Sequence, residues 1–360
     1  MMVSGVETMN RKKVVKKLIL RNSTIIFLLS SLIILISIHS NKLYDTIYEF
    51  LDKDQGKLKI FSVDAKNGFP IKNSEFRIID LETDNIVEVL YTDSSGMAIS
   101  NLLYFDKTYK ITQTNVMEPY VLNKEQYVVE FSEKNDRVTI NNDVPSYIKD
   151  YERTEDKEII ITNLQLSLDT ILQYPELPNG CEVTALASVL DYYGYKTTKM
   201  ELAEKYLPKV PFSQKNNKLF GVNPYDAYAG DPSSNSGFFS YAPPIVRTAN
   251  EFIQSNDGKN NSKDISGSTR DEILKYLKEG TPVIVWTTRD LSEPNKNFSW
   301  YIKGTNEILQ VPTNSHTVVL TGFSEEIVYA MDPLRGQVVY DSDQFFEIYG
   351  KTGSHAMVIL

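Results

Sequence analysis

The sequence predicts an α+β domain that follows an all-β sandwich and one N-terminal transmembrane helix. Three patterns predict this order. An apolar segment follows a basic run near the N-terminus, apolar residues alternate with period two between residues 57 and 142, and helical patterns precede strand patterns after residue 165. With 360 residues, 41% of them apolar and 24% charged, the chain has room for two globular domains.

The composition argues against several classes of partner. The net charge is −9, and the only dense basic run lies within residues 1–22, whereas nucleic-acid binding requires a concentrated basic surface. Three dispersed histidines and one cysteine do not form the usual ligand clusters of a metal site. We therefore expect no nucleic acid, no metal and no cofactor.

The N-terminal segment has the pattern of a membrane anchor. Residues 1–22 are basic, and residues 23–40 are apolar enough and marginally long enough to cross a bilayer as a helix. Because basic flanks stay in the cytoplasm, we expect a cytoplasmic tail, a transmembrane signal anchor and a chain whose bulk is extracellular. A cleaved signal peptide is the alternative, but residues 38–42 lack an A-x-A-like cleavage site.

Residues 56–142 have the pattern of an antiparallel β-sandwich. Six short segments rich in β-branched and aromatic residues begin at residues 58, 75, 86, 108, 127 and 137. Turn residues such as Asn67-Gly68 and Ser95-Gly96 separate them. Charged residues dominate the following segment, 143–165, which we expect to be an inter-domain linker.

Three motifs in this module carry a resemblance. Ser62-Val-Asp-Ala-Lys-Asn-Gly-Phe-Pro, Thr92-Asp-Ser-Ser-Gly-Met-Ala and Tyr109-Lys-Ile-Thr-Gln resemble the collagen-adhesin B-type (prealbumin-like) repeat of Gram-positive surface proteins. The family often forms a Lys–Asn isopeptide bond assisted by a Glu. At those positions this chain has Ser62 and Gln113, with Asn141 or Asn142 at the end of the last strand, so we expect no cross-link. The resemblance implies a spacer, with binding of a cell-surface partner as the alternative.

Residues 166–360 have the pattern of an α+β domain. Helical patterns begin at residues 181, 198, 243 and 269, and strand patterns follow from residues 282, 316, 326 and 336. A short helix over 342–349 and a strand from 356 complete the domain, whose sheet we expect to be mostly antiparallel. Residues 208–242, rich in aromatic residues, are expected to form a long loop beside a cleft.

Cys181 is the only cysteine, and it stands where a Pro/Gly-rich turn gives way to a helical pattern. The positive end of a helix dipole favours a thiolate, which indicates a nucleophile. A buried, unreactive cysteine is the alternative.

A thiol nucleophile needs a base and a group that orients the base. His316 begins an apolar strand, and the next strand ends at Asp332, so one sheet can present both groups. Gln173 precedes the cysteine by eight residues and can donate to an oxyanion. Taken alone, Asp332 reads as a turn residue before proline and Gln173 as a surface glutamine. His355 has no acidic residue in a matching position and reads as structural.

The motifs Gln173-Tyr-Pro-Glu-Leu-Pro-Asn-Gly-Cys, His316-Thr-Val-Val-Leu-Thr-Gly-Phe and Asp332-Pro-Leu resemble stand-alone relatives of the bacteriocin-processing (double-glycine leader) cysteine peptidases. The resemblance implies a papain-like cysteine peptidase fold over 166–360 and a peptide or protein substrate. It also implies Cys181 as nucleophile, His316 as general base and acid, Asp332 as orienter and Gln173 in the oxyanion hole. A transpeptidase or amidase with the same residues, and an inert surface adhesion or scaffold protein, remain alternatives.

Overall fold

The computed structural model describes residues 55–132, 136–155 and 158–360, together with Ser30, Ser31, Ser37, Ile38 and Lys42. The chain divides into two compact units, residues 1–144 and 145–360. The predicted cytoplasmic tail and most of the predicted anchor at 23–40 lie outside the described residues. Within the described part of the chain, no helix is both long and apolar enough to cross a membrane, so the transmembrane helix is not confirmed.

The described residues of the first unit form seven strands in two sheets. In chain order they are β1 (Gln55–Asp64), β2 (Glu75–Asp80), β3 (Ile86–Tyr91), β4 (Met97–Tyr104), β5 (Lys107–Asn115), β6 (Gln126–Phe131) and β7 (Arg137–Asn142). One sheet has the order β3-β2-β5-β6 and is antiparallel, and the other has the order β4-β1-β7. In the second sheet β1 pairs with β7 in parallel, so the sandwich is not wholly antiparallel as the sequence predicts.

Within the first unit, sequence analysis missed the strand β4. Its alternation is broken, since Ser100 is buried and Leu102 is exposed. Apart from β3, the other strands keep a regular alternation, and the inward residues of the two sheets form one apolar core that includes Leu58, Ile60 and Phe76. Burial of each such side chain contributes about 1.5–3 kcal/mol, which holds the two sheets together.

A buried polar network joins the two sheets at the positions that the resemblance assigned to a cross-link. The Ser62 hydroxyl donates to Asn142 Oδ1 at 3.0 Å. Gln113 and Asn142 exchange two amide hydrogen bonds, Nε2 to Oδ1 at 3.1 Å and Nδ2 to Oε1 at 2.7 Å. Asn142, and not the exposed Asn141, is therefore the asparagine that faces Ser62 and Gln113.

We expect Asn142→Ala to lower the free energy of unfolding by about 1–3 kcal/mol, because Gln113 would lose its amide partner in a buried site. Urea denaturation measures the change. Asn141→Ala is the matched control, since that side chain is exposed. Equal effects of the two substitutions would contradict a structural role for the network.

The second unit contains the remaining strands and helices. In chain order they are β8 (Ile148–Arg153), β9 (Ile159–Gln165), α1 (Cys181–Tyr192), α2 (Lys199–Glu201) with a π-helical turn (Leu202–Tyr206), β10 (Lys209–Val210), β11 (Ser213–Lys215), β12 (Lys218–Gly221), β13 (Tyr228–Ala229), α3 (Ala242–Ser255), β14 (Ser262–Asp264), α4 (Arg270–Lys278), β15 (Val283–Thr288), β16 (Phe298–Ile302), β17 (Ile308–Val311), β18 (Ser315–Phe323), β19 (Ile327–Asp332), β20 (Gly336–Asp341), α5 (Ser342–Lys351) and β21 (Ala356–Ile359).

An antiparallel main sheet organises this unit. Its central order is β14-β21-β15-β18-β19-β20, and the hairpin β8-β9 extends it through a pairing of β9 with β18. Helix α1 packs with residues such as Val319 on one face, while α4 and α5 pack with residues such as Val318 on the other. Because both faces are covered, every residue of β15 is buried.

The segment predicted as a linker, 143–165, differs from expectation because it supplies β8 and β9. Its charged residues are mostly exposed, whereas Leu164 is fully buried and anchors β9 in the apolar core. The close approach requires a glycine on β18, since a Cβ at Gly322 would lie 2.1 Å from the Leu164 carbonyl oxygen.

The predicted long loop over 208–242 contains the short strands β10 to β13. β11 and β12 join β16 and β17 in a small four-stranded sheet. A separate aromatic core supports it, in which Trp300 makes edge contacts with Phe212 and Phe238. The aromatic residues of this segment are thus used largely in packing.

Candidate active site

Cys181 is the first residue of α1 and is half-buried. Gly180 precedes it as the N-cap, and no side chain caps this end of the helix. A Cβ at Gly180 would lie 2.6 Å from Leu177 Cβ, so a glycine allows the turn to pass close beneath the helix start. The first backbone N–H groups of a helix have no partner within the helix.

His316 and Asp332 are brought together by the pairing of β18 with β19. In this antiparallel register Val319 lies opposite Met331, which places the start of β18 beside the end of β19. Nε2 of His316 lies 2.7 Å from Oδ1 of Asp332, and both side chains are buried. The imidazole is therefore held in one orientation by a carboxylate.

Asp332 is ionised despite its burial. Burial by itself would raise the pKa of this carboxyl, but the hydrogen bond and charge of His316 outweigh it and the pKa is lowered. The Leu334 backbone N–H and the Tyr340 hydroxyl also donate hydrogen bonds to the Asp332 carboxylate, at 2.7 Å and 3.0 Å. Because a carboxylate only accepts, we assign a proton to Nε2 of His316, so that in the neutral imidazole Nδ1 is the acceptor nitrogen.

The thiol of Cys181 lies against Thr317, the residue that follows His316. The Thr317 amide and hydroxyl act on the thiol and favour its ionised form. Among the hydrogen bonds of the described residues, the thiol donates to Glu182 Oε2 at 3.4 Å, and none joins the thiol to the imidazole. The structure thus pairs His316 with Asp332 and places Cys181 at the same end of β18.

The position of Cys181 at the start of α1 is not sufficient to ionise its thiol in this structure. Burial raises the pKa of the thiol well above its usual value, and the charge of Glu182 and its hydrogen bond raise it further. These effects outweigh the helix dipole and the contacts with Thr317. Removal of the proton therefore requires a base.

Gln173 is buried in the loop that precedes α1. Its Nε2 donates to the Pro178 carbonyl at 2.8 Å, which uses one of its two amide hydrogens. Its backbone N–H donates to the Pro333 carbonyl at 2.8 Å, so this loop is tied to the residue after Asp332. Gln173 and Asp332 are thereby fixed to the same point of the main sheet.

Lys199, the first residue of α2, secures the loop from the other side, and sequence reasoning missed it. Its Nζ donates to the carbonyls of Leu172 at 2.5 Å, Gln173 at 3.0 Å and Tyr174 at 3.4 Å. It also forms an ion pair with Glu176 at 2.6 Å. A lysine inside a helix-capping sequence carries no pattern that would identify this role.

His355 lies apart from the His316–Asp332 pair. Its ring packs against Tyr241 with centroids 4.1 Å apart, and Nε2 lies 3.3 Å from the Tyr225 hydroxyl. Burial lowers the pKa of His355 to about 4, so the ring is neutral near pH 7. Across the described ranges, no group of three or more His, Cys, Asp or Glu side chains could hold a metal ion.

We expect Lys199→Met to speed amide hydrogen exchange at Gln173 by about tenfold or more. Hydrogen bonds to a charged group contribute about 1.5–3 kcal/mol, and about 1.4 kcal/mol corresponds to a factor of ten. Exchange measured by NMR reads the effect, with Lys205→Met as control because Lys205 is exposed and pairs only along its helix. Unchanged exchange in Lys199→Met would contradict the anchoring role.

Two family models match the two units. The Peptidase_C39 like family matches residues 164–357, and the SpaA prealbumin-like fold domain matches residues 56–144. The sequence is 32% identical over 197 residues to the uncharacterized protein YvpB of Bacillus subtilis (strain 168), over 53% of this chain and 75% of that protein.

The chain is also similar to several solved structures. A crystal structure of a C39-like peptidase from Bacillus anthracis is 29% identical, with 54% of this chain and 98% of that chain covered and a TM-score of 0.47. A double glycine motif protease from an AMS/PCAT transporter, solved with its leader peptide, is 17% identical, with 54% and 92% covered and a TM-score of 0.31.

Proposed function

Because this chain belongs to the Peptidase_C39 like family, we propose that it is a cysteine peptidase in which Cys181 is the nucleophile. His316 is the general base and acid, and Asp332 orients it. The observation that carries the proposal is the 2.7 Å hydrogen bond between His316 Nε2 and Asp332 Oδ1. That bond leaves Nδ1 of His316 as the basic atom at the end of β18 where the thiol lies.

The reaction follows from these positions. Nδ1 of His316 takes the proton from the Cys181 thiol as Sγ bonds to the carbonyl carbon of a peptide. The imidazolium then gives that proton to the leaving amine as the C–N bond breaks, which leaves a thioester. His316 next takes a proton from the water that attacks the thioester carbon, and it returns that proton to Sγ as the S–C bond breaks, which releases the acid and the thiol.

Gln173 stabilises the oxyanion in this proposal. The carbonyl oxygen gains negative charge as sulfur adds, and it needs hydrogen-bond donors that are already in position. The second amide hydrogen of Gln173 Nε2 and the backbone N–H of Cys181 are those donors. Support comes from the fixed position of the Gln173 loop, which is bonded to both Pro333 and Lys199.

We expect Cys181→Ala to abolish cleavage of a diverse peptide library by residues 55–360, since no thioester can form. Gln173→Ala should lower kcat by about 100-fold to 1,000-fold, the usual cost of one oxyanion donor.

His316→Ala should also stop labelling of the protein by a thiol-directed peptide probe. His355→Gln is the control for loss of a buried histidine. Labelling of His316→Ala at the wild-type rate would contradict the proposal, and labelling without cleavage in the wild type would favour acyl transfer.

We also propose that the peptidase unit is held outside the cell by residues 23–40, with the prealbumin-like unit as a spacer. The support is that a basic segment precedes an apolar segment within the first 40 residues. After cell lysis, the full chain should stay with membranes in alkaline carbonate, whereas a chain that begins at residue 55 should not. Protease added to intact protoplasts should degrade the peptidase unit. Protection of that unit would contradict the predicted orientation.

A further inference from the structure

Glu182, the second residue of α1, is a buried carboxyl in contact with the candidate nucleophile. Its side chain is only 1% exposed. Oε2 lies 3.4 Å from Cys181 Sγ, and Oε1 accepts a hydrogen bond from the Ser240 backbone N–H at 3.0 Å. Among the ion pairs of the described residues, none involves Glu182, so no lysine or arginine neutralises this carboxyl.

The position of the carboxyl is fixed from the main sheet. Trp286 on β15 is fully buried, and its indole Nε1 donates to the Ser240 carbonyl at 2.8 Å. Ser240 therefore connects the carboxyl of Glu182 to the sheet. A side chain held at both oxygens, one of them against sulfur, cannot move into water without breaking these contacts.

The groups that face Glu182 include no permanent cation. On α1 the neighbour is Cys181, and on β13 it is Tyr228, whose hydroxyl donates to the Asn179 carbonyl at 2.6 Å. Burial raises the pKa of Tyr228, and the charges of Glu182 and Cys181 raise it further. The contacts from the segment before α3 and from β15 are the uncharged Ser240 and Trp286. A half-buried thiol, a buried phenol and a buried carboxyl therefore lie close together.

Two negative charges 3.4 Å apart in such a site are strongly disfavoured. We propose that Glu182 is a further catalytic residue, whose carboxyl keeps its proton and donates a hydrogen bond to Cys181 Sγ when the thiolate forms. The ionised carboxylate instead accepts the S–H bond and holds Cys181 as an unreactive thiol. This inference rests on the proposed role of Cys181 as the nucleophile.

The protons balance without a new reactant. In the reactive form the Sγ proton moves to Nδ1 of His316, the S–C bond forms, and Glu182 retains its own proton throughout. Burial raises the pKa of Glu182 to about 7, against the opposing effect of the Ser240 amide. Glu182 is therefore mainly protonated below that pH, and the reactive form is lost as the pH rises through about 7.

Alkylation of Cys181 by iodoacetamide tests the inference in the full chain, since Cys181 is its only cysteine. Glu182→Gln keeps the shape and a hydrogen-bond donor but has no charge. At pH 8 we expect this variant to react about tenfold faster than wild type, because one unit of thiol pKa is a factor of ten. At pH 5.5, where wild-type Glu182 carries its proton, the two rates should converge. Glu204→Gln, at an exposed position, should follow wild type.

Equal alkylation rates for folded Glu182→Gln and wild type between pH 5.5 and 8 would overturn the proposal. If the variant does not fold, the wild-type protein supplies the second measurement. A protonated carboxyl band in its infrared spectrum should be present at pH 6, shift when Cys181 is alkylated and disappear by pH 8. A spectrum without such a band overturns the proposal. Neither readout requires peptide cleavage, so failure of the proposed peptidase function would be seen separately.

Discussion

The antiparallel pairing of β18 is the constraint on which the candidate site depends. Its pairing with β19 places Asp332 against His316, and its covered faces allow α1 to bring Cys181 against Thr317. β18 also receives β9, because Gly322 permits the close approach of that strand. A one-residue shift of register would turn His316 to the opposite face of the sheet and separate it from Asp332.

The two buried carboxyls at the site differ in pKa because their surroundings differ. Asp332 has donors from His316, Leu334 and Tyr340, and its pKa is lowered despite burial. Glu182 has one backbone amide and a thiol as neighbours, and burial raises its pKa to about 7. The same functional group therefore has a lowered pKa in one place and a raised pKa in the other, because its burial and hydrogen-bond partners differ.

In the first unit, buried polar groups help to join the two sheets. Its two sheets are joined by an apolar core and, at one end, by hydrogen bonds among Ser62, Gln113 and Asn142. Because these side chains are buried, their mutual hydrogen bonds avoid the cost of unpaired polar atoms. Ser62 donates one hydrogen bond to Asn142, and Gln113 and Asn142 exchange two reciprocal ones.

The sequence by itself determined the elements that have sustained periodicity and the candidate residues that stand at their ends. It predicted α1, α3, α4, β15, β18 and β19, together with Cys181, His316, Asp332 and Gln173 as site candidates. Tertiary structure alone decided the pairing of β8 and β9 with the main sheet, the existence of β4, and the contacts of Lys199 and Glu182. Those features depend on which groups meet across long separations in the chain. Periodicity reports which face of an element is buried, whereas a 3.4 Å contact between a thiol and a carboxyl depends on how the elements pack.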